Sequence, residues 1–409
     1  MMELTRDIRI KRVDIFNYRS CIKTKVELLT DLTTLIGCNG AGKSNILNSL
    51  QLLQKINRNR YFHHKTILKS LSNSRLDLYL NIDAELYVLR ADFYYDSDEA
   101  NTELIYGADL KIKKNAIRSK WIELDPELFE YLDYILRTGN KFKIDNIRFG
   151  KYSSQDELHF AIEVITYLKS MSYYSATQFS DPTKCPISLE LEDSRLTKSV
   201  YRKSRTHEQF IYDLYMSYTF DKKMFKRYLE TVNHNGIGLV DDITFFDHKI
   251  PTNSLKVKAG GQVEKIEKIK NIVVPSIIID NLTLSPNQLS EGTFKTLALV
   301  YYILNDENNL LLIEEPEVCV HHGLLNSIIE LIKIQASSKQ IIISTHSDFV
   351  LDQLKPENIV LVTRTRDQGT IAKSLPLHLS KNEFSALKSY LEESGNLGEY
   401  WKEGGFENE

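Results

Sequence analysis

Residues Gly37–Ser44 read GCNGAGKS, and no other stretch limits the fold as tightly. The segment before it, KTKVELLTDLTTLIG, alternates apolar and polar residues as a strand does. The segment after it, KSNILNSLQLLQKI, repeats its apolar residues at helical spacing. G-x-x-x-x-G-K-S between a strand and a helix commits the chain to a strand–loop–helix unit whose loop curls around phosphate oxygens. Glycines let backbone N–H groups turn inward, and the helix N-terminus adds a favourable dipole. Gly37, Asn39, Gly40, Ala41, Gly42, Lys43, Ser44 and Asn45 are therefore the candidate phosphate-binding residues. Lys43 would reach the β- and γ-phosphates of ATP, and the Ser44 hydroxyl would ligate Mg2+. Cys38 reads as a tolerated filler of the loop rather than a redox switch.

A second constraint is LLLIEEPEVCVHH, Leu310 to His322, where four apolar residues run into Glu314, Glu315 and Glu317. Carboxylates this close repel one another and are costly to desolvate, so a positive group must face them. A phosphate loop needs a metal-binding acid and a group that activates water, both at the carboxyl end of a neighbouring strand. Glu314 is the expected Mg2+ partner, directly or through water, and Glu315 the expected general base. Mg2+ and Lys43 supply the opposing charge. Glu317 reads equally well as an acidic residue at the start of the following helix.

Roughly two thirds of the chain separates Lys43 from Glu314, so a large insertion lies between them. Alternating stretches before about residue 114 predict an antiparallel N-terminal lobe that includes the phosphate loop. From 115 to 270 the pattern is largely helical with short strands. From 271 to 409 strands alternate with helices, as in a parallel sheet with crossover connections. The expected class is α/β, a mixed sheet with a helical insertion.

Just before the acidic strand stands QLSEGTFKTLAL, and after it IIISTHSDF. LSEGT resembles the L-S-G-G-Q signature of ABC-type ATPases, and His346 matches their switch histidine. NYRS, Asn17 to Ser20, resembles the N-F-R-S motif of the RecF, SMC and OLD group. EEPEVCVHH is similar to the E-E-P-E-x-x-L-H-P of OLD-like enzymes, with Val320 and His322 departing from the pattern. GNLGEYWKEGGF near the C-terminus resembles the ending of stand-alone bacterial ATPases such as that of Septu. The resemblance implies an ABC-type ATPase head that hydrolyses ATP with Mg2+. It implies Arg19 near the nucleotide, His346 at the γ-phosphate, and a homodimer or higher homo-oligomer. Ser290 and Gly292 of each protomer would then act on ATP held by the other.

Composition narrows the role. A chain with 42% hydrophobic and 26% charged residues is an ordinary globular protein, and a net charge of −3 gives no global pull toward nucleic acid or membrane. No apolar run is long enough to span a bilayer, the N-terminus lacks a signal-peptide pattern, and four scattered cysteines show no CxxC. The expectation is a cytoplasmic protein. Between Arg195 and Glu230 nine Lys or Arg face four Asp or Glu, a candidate surface for double-stranded DNA or merely a solvated face. Leu110 to Trp121 is a second, weaker basic stretch, and His63–His64 reads as a solvated turn. The resemblance implies one of two functions: a sensor and regulator of a separately encoded effector, such as a nuclease in antiphage defence, or a RecF-like ATPase of DNA repair. A self-contained nuclease is not expected, because the segment after His346 is too short for a TOPRIM domain as well as the last sheet elements.

Overall fold

The computed structural model describes residues 6–54, 60–62, 73–97, 104–125, 128, 132, 152–192, 206–257, 263–305, 308–318, 320–393, 395–404 and 406. His63–His64 and the basic residues Arg195 to Arg205 lie outside them.

The core sheet has six strands in the order Gly369–Ser374, Ile359–Thr365, Leu32–Ile36, Gln340–Thr345, Leu310–Glu314 and Met171–Ser175. All pairings are parallel except the edge pair of Ile359–Thr365 with Gly369–Ser374. Strands covered on both faces read as continuous apolar runs, which is why LLLI and IIIS show no alternation. Leu311 and Ile313 enter one core and Leu310 and Leu312 the other, so a single strand serves both faces.

One core lies under the helices Thr206–Phe220, Lys222–Val232, Glu291–Leu304 and His322–Gln335. The other joins the helices Lys43–Gln54 and Gln155–Lys169 to a seven-stranded sheet built on Ile8–Tyr18, Arg75–Ile82, Glu85–Ser97 and Leu104–Lys114. The Ile8–Tyr18 strand alternates buried with more exposed residues, the mark of an antiparallel sheet with one wet face. The fold is α/β with an antiparallel N-terminal lobe and a parallel core, as the sequence implies.

The insertion departs from expectation in one respect. Asp242–Val257 and Val263–Ile279 are long antiparallel strands in a third sheet, not short strands in a helical segment. Val263, Ile266 and Ile269 stand three apart, a spacing that mimics a helix. Long-range pairing overrides that local period. The basic helix is only partly free: Arg227 donates to the carbonyl of Leu304, capping the end of a neighbouring helix, whereas Lys222, Lys223 and Lys226 are exposed.

Candidate active site

The strands Leu32–Ile36, Leu310–Glu314 and Gln340–Thr345 are adjacent and parallel, so their carboxyl ends open on one crevice. In register, Glu314 lies opposite Ser344, and Ile36 opposite Thr345. The topology therefore brings the phosphate loop, the acidic cluster and His346 to one edge.

The loop from Gly37 feeds the helix Lys43–Gln54. Lys43 is only 6% exposed, and its ammonium donates to the carbonyls of Gly37 at 2.7 Å and Cys38 at 3.3 Å. Burial holds this ammonium below its ordinary range, against the opposite pull of Glu315, Cys38, Glu317 and Glu314. A desolvated ammonium gains from an anionic ligand, and the carboxylates of the same crevice gain from a cation. Gly42 has φ +111°, and a Cβ there would stand 2.1 Å from Thr370 Oγ1. No other residue fits that turn.

A hydrogen-bonded chain ties the loop to the N-terminal hairpin and to the edge of the sheet. Arg19 donates to Asn45 Oδ1 at 3.3 Å, Asn45 donates to Ser20 Oγ at 2.7 Å, and Ser20 meets Thr370 Oγ1 at 2.7 Å. Thr370 donates in turn to the carbonyl of Ala41 at 3.0 Å. Arg19 and Asn17 have φ of 50° and 53°, left-handed values that cost a non-glycine residue energy and fix the hairpin turn.

Across the crevice, Glu315 also has a left-handed φ of 49°, while its N–H donates to Ser344 O at 2.9 Å. His346 Nδ1 is 3.5 Å from Oε1 of both Glu315 and Glu317. Glu317 Oε1 accepts the Thr345 hydroxyl at 2.6 Å and the His346 N–H at 3.2 Å. The Tyr173 hydroxyl donates to Glu314, and burial together with that bond raises the Tyr173 pKa above its ordinary range.

The donor set fits a hard divalent cation: a hydroxyl from Ser44 and carboxylates, all oxygen. Glu317 Oε2 is buried without a hydrogen-bond partner among the described residues, a sign that the acidic end has unspent acceptor capacity.

Ser290 is exposed and caps the helix Glu291–Leu304, accepting the Thr293 N–H at 3.2 Å; Gly292 follows in its first turn. Among the described residues, no hydrogen bond or ion pair joins either to the phosphate loop of the same chain. His321 caps the next helix through Gly323 N at 3.2 Å. Sequence reading missed Tyr173, Ser20 and Thr370, whose roles arise only where distant strands meet. It left Glu317 undecided, and the structure ties it to His346.

An antiparallel lobe joined to a parallel core whose strand ends share one crevice is the fold of an ABC-type ATPase head of the RecF/SMC/OLD group. The chain belongs to the family described as AAA domain, putative AbiEii toxin, Type IV TA system, whose model matches residues 32–352. It is similar to the Old nuclease of Escherichia phage P2, with 22% identity over 395 residues, covering 90% of this chain and 61% of that protein. It is also similar to the DNA double-strand break repair Rad50 ATPase of Sulfurisphaera tokodaii, with 31% identity over 99 residues, 23% of this chain and 11% of that one. The chain thus spans less than two thirds of the length of either relative. Among solved structures it is similar to an SMC head bound to the C-winged helix domain of ScpA, with a TM-score of 0.47, 13% identity and coverage of 93% and 99% of the two chains. The SMC head domain from Thermotoga maritima gives a TM-score of 0.41 at 12% identity, covering 90% and 98%. Among the described residues no helix is long and apolar enough to cross a membrane.

Proposed function

We propose that the chain binds and hydrolyses ATP between two copies of itself in the cytoplasm, and regulates a separately encoded effector nuclease in antiphage defence. The observation that carries the ATPase reading is that buried Lys43 and the acidic residues Glu314, Glu315 and Glu317 stand at the carboxyl ends of parallel strands that open on one crevice. In this reading the loop amides and Lys43 hold the phosphates, Glu315 takes a proton from the attacking water, and His346 contacts the γ-phosphate. Mg2+, held by Ser44 and Glu314, would offset charge on the phosphate oxygens. Ser290 and Gly292 present a capped helix N-terminus to the nucleotide of the partner protomer, so ATP favours the closed dimer by touching both halves.

The test is binding. Lys43→Ala should lose ATP, and a variant that binds ATP normally would overturn the phosphate-loop assignment. The effector reading rests on the resemblance of the C-terminal segment to stand-alone defence ATPases, and on a relative whose name includes nuclease. Affinity capture from the native host should recover a nuclease; recovery of replication or repair proteins instead favours the RecF-like reading. That second reading draws on exposed Lys222, Lys223 and Lys226 along one helix. Reversing all three should weaken salt-sensitive binding of double-stranded DNA, and unchanged binding would remove this face from consideration.

A further inference from the structure

The C-terminal segment folds back onto the ATPase core. The helix Leu397–Lys402 packs against Asp348–Asp352, the short helix just beyond His346. Gly398 N–H donates to Asp352 Oδ1 at 2.7 Å, and Lys402 pairs with Asp348. The approach is close: a Cβ on Gly398 would stand 2.6 Å from the carbonyl oxygen of Asp348. Further on, His378 Nε2 donates to the carbonyl of Phe406 at 3.3 Å, and the rings of Tyr400 and Phe406 lie 5.2 Å apart. The described residues of the tail are therefore tied to the core.

It closes one side of a cavity of about 1100 Å3. The phosphate loop itself, Gly37 to Ala41, forms part of the wall. Arg19, Arg364 and Lys373 bring cations to this cavity, and His378, Trp401 and Phe406 bring aromatic rings. Small-ligand pockets run about 300–1,000 Å3, so there is room for a base and its ribose. A nucleotide whose phosphates occupy the loop must place the rest of itself within reach of it. The adjoining space is lined by aromatic side chains, groups on which purines stack, and by cations, which attract phosphates.

Resting on the ATPase reading, we propose that this cavity is the nucleoside half of the site and that the C-terminal segment supplies its base-stacking surface through Trp401. The tail would then be part of the nucleotide site. Its anchors on Asp348 and Asp352 would connect base occupancy to the turn that carries His346.

Trp401 is one of two tryptophans in the chain, so in a Trp121→Phe background its emission reports this cavity alone. Added ATP should change that emission, and inorganic tripolyphosphate should not. Trp401→Ala should weaken ATP binding about 5- to 100-fold, the scale of a lost base–aromatic stack, and leave tripolyphosphate affinity unchanged. Trp401→Phe should recover most of the loss. If Trp401→Ala binds ATP as tightly as the unaltered chain, or loses ATP and tripolyphosphate equally, the base subsite is overturned. Lys43→Ala separates the two readings. It should lose both probes, and its keeping both would sink the phosphate-loop assignment instead.

Discussion

Glu317 holds His346 by the backbone: its Oε1 accepts the His346 N–H at 3.2 Å and the Thr345 hydroxyl at 2.6 Å. The same oxygen lies 3.5 Å from His346 Nδ1, so one carboxylate fixes both the chain and the ring. Its side chain is 10% exposed, and water is a poor substitute there. Glu317→Ala should leave the buried Thr345 hydroxyl without its acceptor, cost about 1–3 kcal/mol of stability, and lower kcat by about tenfold or more. Glu317→Gln retains an acceptor and should stay close to the unaltered chain in both measurements. Full turnover in Glu317→Ala would mean that His346 does not depend on this contact.

The loop makes a steric prediction. Gly42→Ala would push a methyl group to within 2.1 Å of Thr370 Oγ1 and disturb the bond from Thr370 to Ala41. ATP binding should be lost and the melting temperature should fall. Adding Thr370→Ala to Gly42→Ala should restore part of the stability, because the clashing oxygen is gone. Additive effects of the two changes would contradict direct contact.

His207 gives a pH dependence. Its ring is buried, stacks on Phe294 of the signature helix at 5.3 Å, and donates Nε2–H to Ser180 O at 2.9 Å. Burial lowers its pKa below the ordinary 6.5, so the unfolded chain takes up more protons below that value. Stability should therefore fall as pH drops through the range beneath 6.5. His207→Phe should flatten the slope of melting temperature between pH 7 and pH 5. An unchanged slope would assign the acid sensitivity elsewhere.

Local pattern revealed what local physics decides. GCNGAGKS requires its strand and helix, and LLLIEE requires a strand buried on both faces, so the parallel core was legible. Of the Asp242–Ile279 hairpin only the stretch from Asn271 onward reads as a strand; the rest is hidden because its pairing sets a register that a period-three run of apolar residues conceals. Tyr173 and Thr370 escaped for a related reason. Each meets its partner, Glu314 or Ala41, across more than a hundred positions of chain. Glu317 stood in plain view, but a glutamate before a helix has a sufficient explanation as a helix-dipole partner.

Shared sites between protomers can be tested by complementation. Lys43→Ala and Ser290→Arg should each be inactive alone. Mixed, they should recover partial activity, because a heterodimer holds one site with both an unaltered loop and an unaltered signature. No recovery from two folded variants would confine the site to one chain.

Glu315→Gln separates ATP binding from ATP hydrolysis, with both measured on the same sample. The phosphate cradle of Lys43 does not depend on the Glu315 proton, so ATP should bind as before. Turnover should drop by about 10²-fold or more, the scale of a lost general base. ATP should then trap a dimer, seen as a doubled mass by light scattering. Near-normal hydrolysis in Glu315→Gln would remove Glu315 from the role of general base.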